Sequence, residues 1–330
     1  NAELNGLDGI SFRLGDLYQP VEGERFETIT ANPPFVPSPV ESLAFRDGGA
    51  DGERILRRIV AEASQHLTEG GRLSIVTDLV DIDSYEAKLA SWWTGADYLA
   101  LMLTTADRNE QLFSPPHSHA PFGQSFEEFS EELGQWVDSY RAVGLGAVNF
   151  GYLVLEDRRM PAGQRFVQRV IQSPVDLVHT HVEALLDALY LETRGTLGHQ
   201  RMTCAAGLRI QKEFDAQGRE LSCSASVPDS EWFTTYRLQP SLQALLNEAG
   251  PGLLTWAELV ERCGAVAAGI LLEKGLLVCA APQGTIPTTE RGSSVEQIPA
   301  AMQDQAQPKV LLLDELASKT TPTCVSNYLR

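Results

Sequence analysis

Phe26-Glu27-Thr28-Ile29-Thr30-Ala31-Asn32-Pro33-Pro34-Phe35-Val36-Pro37 is the stretch whose reading decides the fold. Phe26 to Thr30 is rich in strand-forming residues. Two consecutive prolines then forbid further ladder hydrogen bonds, so the strand ends and the chain turns. In open α/β sheets the carboxyl ends of the strands are where ligands sit. Asn32 offers a side-chain carbonyl there, and Pro33 keeps a backbone carbonyl as acceptor. Two acceptors side by side hold an –NH2 group and aim its lone pair, and Phe35 is placed to stack on its flat face. That chemistry suits methylation of a planar nitrogen.

Outward from this turn, residues 1–157 alternate between strand and helix patterns, as in a doubly wound sheet. The expected strands are Ile10–Leu14, Phe26–Thr30, Arg72–Thr77, Tyr98–Thr104 and Ala147–Leu155. Asp51 is placed to cap a helix over Gly52–His66, whose Ile55, Leu56, Ile59, Val60 and Ala63 recur at helical spacing. Ser84–Trp93 and Ser125–Val143 read as further helices, the latter opened by Ser125 and a run of acids. Between strands, Ser114–Gly123 reads as an irregular loop suited to a lid.

The motif and its ordered neighbours resemble a known family. Asn32-Pro33-Pro34-Phe35 is similar to the Asn-Pro-Pro-aromatic motif of class I, S-adenosylmethionine-dependent N-methyltransferases. Asn1-Ala2-Glu3-Leu4-Asn5-Gly6-Leu7 and Phe12-Arg13-Leu14-Gly15-Asp16-Leu17 precede it in that family's order. Gly48-Gly49-Ala50-Asp51-Gly52, Arg57-Arg58-Ile59-Val60 and Glu69-Gly70-Gly71-Arg72-Leu73-Ser74-Ile75-Val76 resemble the HemK-type release-factor glutamine methyltransferases. The resemblance covers roughly residues 1–155.

It implies a Rossmann-like methyltransferase sheet with S-adenosylmethionine as cofactor. Asn32, Pro33, Pro34 and Phe35 are then catalytic. Asp16, Leu17 and Asn32 contact the cofactor, and Phe35, Val36 and Arg46 face the substrate. The family's glycine-rich cofactor loop and ribose-binding acid have no counterpart in the sequence, so the first strands are expected to be missing and the chain to be N-terminally truncated, inactive on its own. Phe35 stands where the family often has Tyr. A glutamine amide in a protein is the leading substrate, and an exocyclic amine of a nucleobase in RNA or DNA is the alternative. A non-catalytic interaction protein on a degenerate methyltransferase fold also stays open.

Composition narrows these choices. The chain has 330 residues and a net charge of −18, from 26 Lys plus Arg against 44 Asp plus Glu. That balance argues against a broad electrostatic grip on phosphates. No run of about 18 apolar residues is present, so no membrane span is expected. Five scattered cysteines, with no C-x-x-C pair, suit a reducing cytoplasm and buried free thiols. His117/His119 and His179/His181 lack the neighbouring ligands of a metal site, and no metal is expected. The acids Glu127, Glu128, Glu131 and Glu132 read as a solvated helix face. Trp92, Trp93 and Trp136 read as core or lid aromatics.

A second domain is expected over 161–280. Pro174–Arg194 reads as mostly helical, and Leu208–Phe214 with Glu220–Val227 as a hairpin around Asp215-Ala216-Gln217-Gly218. Pro240–Ala249, Thr255–Cys263 and Ala265–Lys274 read as three short helices before the strand Gly275–Cys279, a winged-helix-like α+β order. The third helix has almost no basic side chains, so it suits packing or docking a partner better than reading base edges. Residues 281–330 read as a linker and tail, with a short strand at Lys309–Leu313.

Overall fold

The computed structural model describes residues 3–6, 9–40, 43–105, 108–109, 125–158, 163–172, 179–227, 234–250, 252, 254–280 and 310–313. The chain packs into two units. One comprises Asn1–Arg159, Gly163–Phe166 and Lys309–Arg330, the other Met160–Ala162 and Val167–Pro308.

The first unit is built on a mixed sheet. Its strands are β1 (Phe26–Ala31), β2 (Leu67–Val80), β3 (Leu99–Thr104), β4 (Arg108–Asn109), β5 (Ala147–Glu156), the start of β6 (Arg165–Val170, of which Arg165 and Phe166 belong to this unit) and, from far along the chain, β12 (Val310–Leu313). The spatial order is β12-β1-β2-β5-β3-β6, with β4 paired to β5. β1 lies parallel to both β12 and β2, whereas β5 runs antiparallel to β2 and to β3. β3 is buried at every position, the signature of a strand covered on both faces.

Alternation along the strands sorts side chains between two layers. On one face, Ile29, Leu73, Ile75, Ala100, Met102, Leu153 and Leu155 meet α1 (Arg54–His66) and α2 (Tyr85–Trp92). α1 presents Ile55, Leu56, Ile59, Val60 and Ala63 to that core, as the helical spacing predicts. On the other face, Val36, Val80 and Val148 meet Trp136 and Tyr140 of α3 (Phe126–Ala142). Ser125 opens α3 with a capping box: its Oγ accepts from the Glu128 amide, and Glu128 Oε2 accepts from the Ser125 amide at 2.7 Å.

Several expectations are corrected. Ile10–Leu14 is not a strand; Ile10, Phe12 and Leu14 are exposed on irregular backbone. Alternation alone cannot form a strand without a neighbour to share its hydrogen bonds. α1 begins two residues later than expected, and Asp51 accepts from the Glu53 amide rather than capping the helix. Gly70-Gly71 lies inside β2 rather than before a strand. Phe26 pairs with Leu67 while Thr28 pairs with Arg72, so β2 carries the extra residues as a bulge. Gly70, at φ +76°, makes that excursion possible. The expected lid over residues 114–123 lies outside the described residues.

The second unit holds α4 (His179–Thr193), β7 (Met202–Cys204), β8 (Arg209–Phe214), β9 (Glu220–Ser226), β10 (Tyr236–Arg237), α5 (Pro240–Ala249), α6 (Trp256–Cys263), α7 (Ala265–Glu273) and β11 (Leu277–Cys279). β8 and β9 form the expected hairpin, closed by Asp215, and β10 adds to β9. β11 pairs antiparallel with β7. Thr255 caps α6 with a second capping box, through Glu258. A wing after the third helix would fall within residues 281–309, outside the described residues. Among the described cysteines, all free, only Cys223 is fully buried; Cys204, Cys263 and Cys279 are half-buried, against the expectation.

Candidate functional site

The site is built where β1 stops. Ala31 is the last residue of β1 paired on both sides, to Ile75 of β2 and to Leu313 of β12. Asn32 follows at the carboxyl end of the parallel strands, exposed, while Pro33 and Pro34 are buried behind it and Phe35 is half-buried. The prolines thus turn the chain inward and leave the asparagine amide facing outward.

The loop after the prolines is locked to the segment that follows it. The Val36 amide donates to the Arg46 carbonyl at 2.9 Å, and the Gly48 amide donates back to Val36 at 2.9 Å. Ser38 donates to Gly49 at 3.0 Å. Two glycines make this approach possible. A Cβ on Gly48 would lie 2.8 Å from the Pro34 carbonyl oxygen and 2.4 Å from that of Gly52. A Cβ on Gly52, which sits at φ +74°, would lie 2.4 Å from the Phe35 carbonyl oxygen. The glycine segment therefore cradles the protein's own loop.

A second restraint comes from α3, a hundred residues away. Tyr140 Oη donates to the Pro37 carbonyl at 2.9 Å. Burial raises the pKa of this phenol far above its ordinary value, with Arg46 opposing and Asp78 and Asp47 assisting, so it stays a donor. The Arg46 guanidinium lies 5.2 Å from the centre of the Trp136 ring and bonds Asp47 Oδ1 at 2.6 Å. Asp47 Oδ2 accepts from the Leu43 amide at 2.8 Å. Phe35 packs against the cluster that includes Trp136 and Tyr140. Arg46 thus lies beside Val36, its guanidinium engaged by Asp47 and Trp136.

Behind the glycine segment lies a buried acid that the sequence did not single out. Glu53 accepts from Tyr85 Oη and from Lys88 Nζ, each at 2.8 Å. Lys88 also donates to the Val80 carbonyl at 2.7 Å. Burial raises the Glu53 pKa above its ordinary value despite Lys88 and Tyr85, which pull it down. This cluster ties the start of α1 to α2 and to the end of β2. Its only sequence signal is an acid directly after a glycine run; nothing in the sequence pairs residue 53 with residue 88.

Asp16 and Leu17 belong to a different neighbourhood. The Asp16 carboxylate, half-exposed, accepts from Arg58 at 2.7 Å. Leu17 adopts φ +48° and packs against the α1/α2 core, not the Phe35 cluster. A left-handed leucine costs roughly 1–2 kcal/mol, so the surrounding turn imposes it. The Asp16 carbonyl accepts from Gln19 at 3.0 Å as that turn closes. Asp16 therefore follows no strand, since Ile10–Leu14 is irregular. Asn32 to Phe35 form one turn at the end of β1, with Asn32 exposed and both prolines buried. Asp16 and Leu17, expected to contact a cofactor, are thus not gathered with the cluster around Phe35. No group of three metal-ligating side chains converges among the described residues, and no helix among them is long and apolar enough to cross a membrane.

Residues 1–91 match the family model of the methyltransferase small domain. Among curated relatives, the ribosomal protein uL3 glutamine methyltransferase of Bradyrhizobium diazoefficiens is 39% identical over 85 residues, 22% of this chain and 26% of that protein. The release factor glutamine methyltransferase of Gloeobacter violaceus is 32% identical over 87 residues, 23% of this chain and 30% of that protein. The uL3 enzyme of Burkholderia pseudomallei is 31% identical over 128 residues, 32% of this chain and 39% of that protein. The chain thus spans well under half the length of these relatives. A sarcosine dimethylglycine methyltransferase structure from Galdieria sulphuraria matches 48% of this chain and 64% of its own, at 16% identity and a TM-score of 0.25, too slight a likeness to carry weight.

Proposed function

We propose that the first unit supplies the acceptor-amide half of an S-adenosylmethionine-dependent methyltransferase whose substrate is a glutamine amide in a protein. The observation that carries this reading is the pose of Asn32: exposed at the carboxyl end of β1, with two buried prolines behind it and Phe35 beside it. The Asn32 side-chain carbonyl and the Pro33 carbonyl accept the two N–H bonds of the substrate amide. Phe35 stacks on its plane. S-adenosylmethionine supplies the methyl group. The chain's own contribution is orientation of the nitrogen lone pair and fixed dipoles where positive charge develops on it.

The similarity to glutamine methyltransferases supports the substrate class, and the net charge of −18 weighs against nucleic acid. The second unit fits partner docking: α7 carries no Lys, Arg, Asn or Gln and exposes Val266 and Ile270.

The test is transfer of labelled methyl from S-adenosylmethionine to a glutamine-containing peptide, with calorimetric cofactor binding measured alongside. Asn32→Ala is expected to lower transfer about 100-fold or more, the scale of losing a transition-state hydrogen-bonding group, with a much smaller loss of cofactor binding. Transfer to an oligonucleotide in preference to the peptide would move the substrate to a nucleobase amine. Equal transfer by Asn32→Ala would remove the motif from the chemistry.

A further inference from the structure

A groove of about 350 Å³ opens on the first unit between α2 and the strand edge formed by β3 and β6. Its walls are Asp83, in the turn before α2, Glu86 and Ala87 on α2, Tyr98 just before β3, and Gln164 and Phe166 at the start of β6. Its size falls within the range of ligand sites. It is also distinct from the motif. β3 runs parallel to β1 by way of β5 and β2. Tyr98 stands at the amino end of β3, whereas Asn32 stands at the carboxyl end of β1.

Three features of the groove are unspent. Asp83 and Glu86 are exposed and make no ion pair among the described residues. The nearest cation on α2, Lys88, is held by Glu53 and the Val80 carbonyl. Tyr98 is 1% exposed, its ring set edge-on against Trp93 with centroids 5.7 Å apart. Its hydroxyl makes no hydrogen bond to the described residues and is not among their sealed-off polar atoms, so it opens on the groove. Burial, then Glu86, pushes this phenol up to about 12, so at neutral pH it is an intact O–H. A donor at the floor of a groove, its ring fixed by packing, is already oriented for a ligand. Two carboxylates side by side without a cation repel one another. Arg165 does not answer them: it lies between Gln164 and Phe166, and strand alternation sends it to the opposite face.

We propose that this groove binds the guanidinium group of an arginine carried by a protein partner. A planar cation with five donors meets Asp83 and Glu86 together, donates to the Tyr98 oxygen and the Gln164 side-chain carbonyl, and lays its face on Phe166. A lysine ammonium has three donors and no plane to stack. The net charge of −18 draws a basic partner toward the surface before it docks. This inference does not depend on the methyl-transfer reading.

The test uses the full chain with its tyrosine rings isotopically labelled. Acetyl-Gly-Arg-Gly-amide is titrated by NMR, with the citrulline and lysine analogues and free arginine as comparisons. The arginine peptide is expected to move the Tyr98 ring signals and to bind best. Glu86→Gln and Tyr98→Phe should each weaken it about tenfold, the effect of one hydrogen bond to a charged group. Both variants keep the shape of the side chain, and an unchanged melting curve confirms the fold. Equal binding of the neutral citrulline peptide, or equal affinity for wild type and both variants, overturns the site. Equal binding of the lysine peptide overturns the guanidinium assignment. Tighter binding of free arginine than of the blocked peptide overturns the protein-partner assignment.

Discussion

Tyr140 is the residue on which the pose of the motif most depends from a distance. Among the described residues the other bonds that fix Val36 to Ser38 involve Val40 and residues 46 to 49, close in the chain, whereas Tyr140 reaches the Pro37 carbonyl across 103 residues. Tyr140→Phe keeps the ring and leaves a buried carbonyl without its donor. It is expected to cost about 1–2 kcal/mol, read as a lower urea midpoint at unchanged slope; an unchanged midpoint would show that water replaces the hydroxyl. Glu53 makes a pH prediction. Its folded pKa lies above its ordinary value of 4.5, because burial outweighs Lys88 and Tyr85. A carboxyl raised on folding binds its proton more tightly in the folded state, so its contribution is fully present below 4.5 and is lost as pH rises through the folded pKa. The stability of wild type relative to Glu53→Gln should therefore rise as pH falls from neutrality toward about 4.5 and level off below it. A difference that falls on acidification would mean that the Lys88 ion pair, not burial, governs the site. Asn32, Pro33, Pro34 and Phe35 were legible as a unit because prolines dictate backbone locally. Glu53 and Tyr140 were not, because their partners are supplied by packing.

At the scale of elements, α3 is the support that carries Trp136 and Tyr140 to the motif, and its start is fixed by Ser125 and Glu128. Ser125→Ala removes one half of that capping box and should cost about 1 kcal/mol, measured by chemical denaturation. The glycine segment is less forgiving. Gly52→Ala meets both a left-handed backbone and the Phe35 carbonyl. It should cost more than the roughly 1 kcal/mol of a left-handed alanine alone, and hydrogen exchange at Val36 and Gly48 should accelerate with it. If exchange at those amides is unchanged, the cradle tolerates the methyl group and does not set the loop. The sequence-based bounds of α1, α2 and α3 hold to within two residues, since apolar spacing and caps are local properties. Ile10–Leu14 failed for the opposite reason: its strand pattern is real, but a strand exists only through its neighbour. β6 was passed over because Arg165-Phe166-Val167-Gln168-Arg169-Val170 looks like linker until β3 offers it an edge.

At the scale of the whole molecule, the least legible feature is which strand lies beside the motif. The sequence marks Lys309–Leu313 as a short strand, yet nothing local says that it returns some 280 residues to pair with β1. In the structure β12 lies parallel to β1, register Thr28 to Val310 and Ala31 to Leu313, and Leu311 packs half-buried against the α1/α2 core. The pairing covers the hydrogen-bonding edge of β1 up to the residue before Asn32. An uncovered edge strand invites pairing with other chains, and Phe26, Ile29 and Ala31 make this one apolar. Removing residues 309–330 should therefore do two things. Stability should fall by about 2 kcal/mol or more, the sum of a partly buried leucine and several backbone bonds. Association should appear, seen by sedimentation velocity as a weight-average mass that rises with concentration. A synthetic peptide of residues 308–316 should reverse both effects in trans. A truncated chain that melts with wild type and stays monomeric would mean that β12 only rests on the edge, and that the turn at Asn32 is held by its prolines, its glycine cradle and Tyr140 alone.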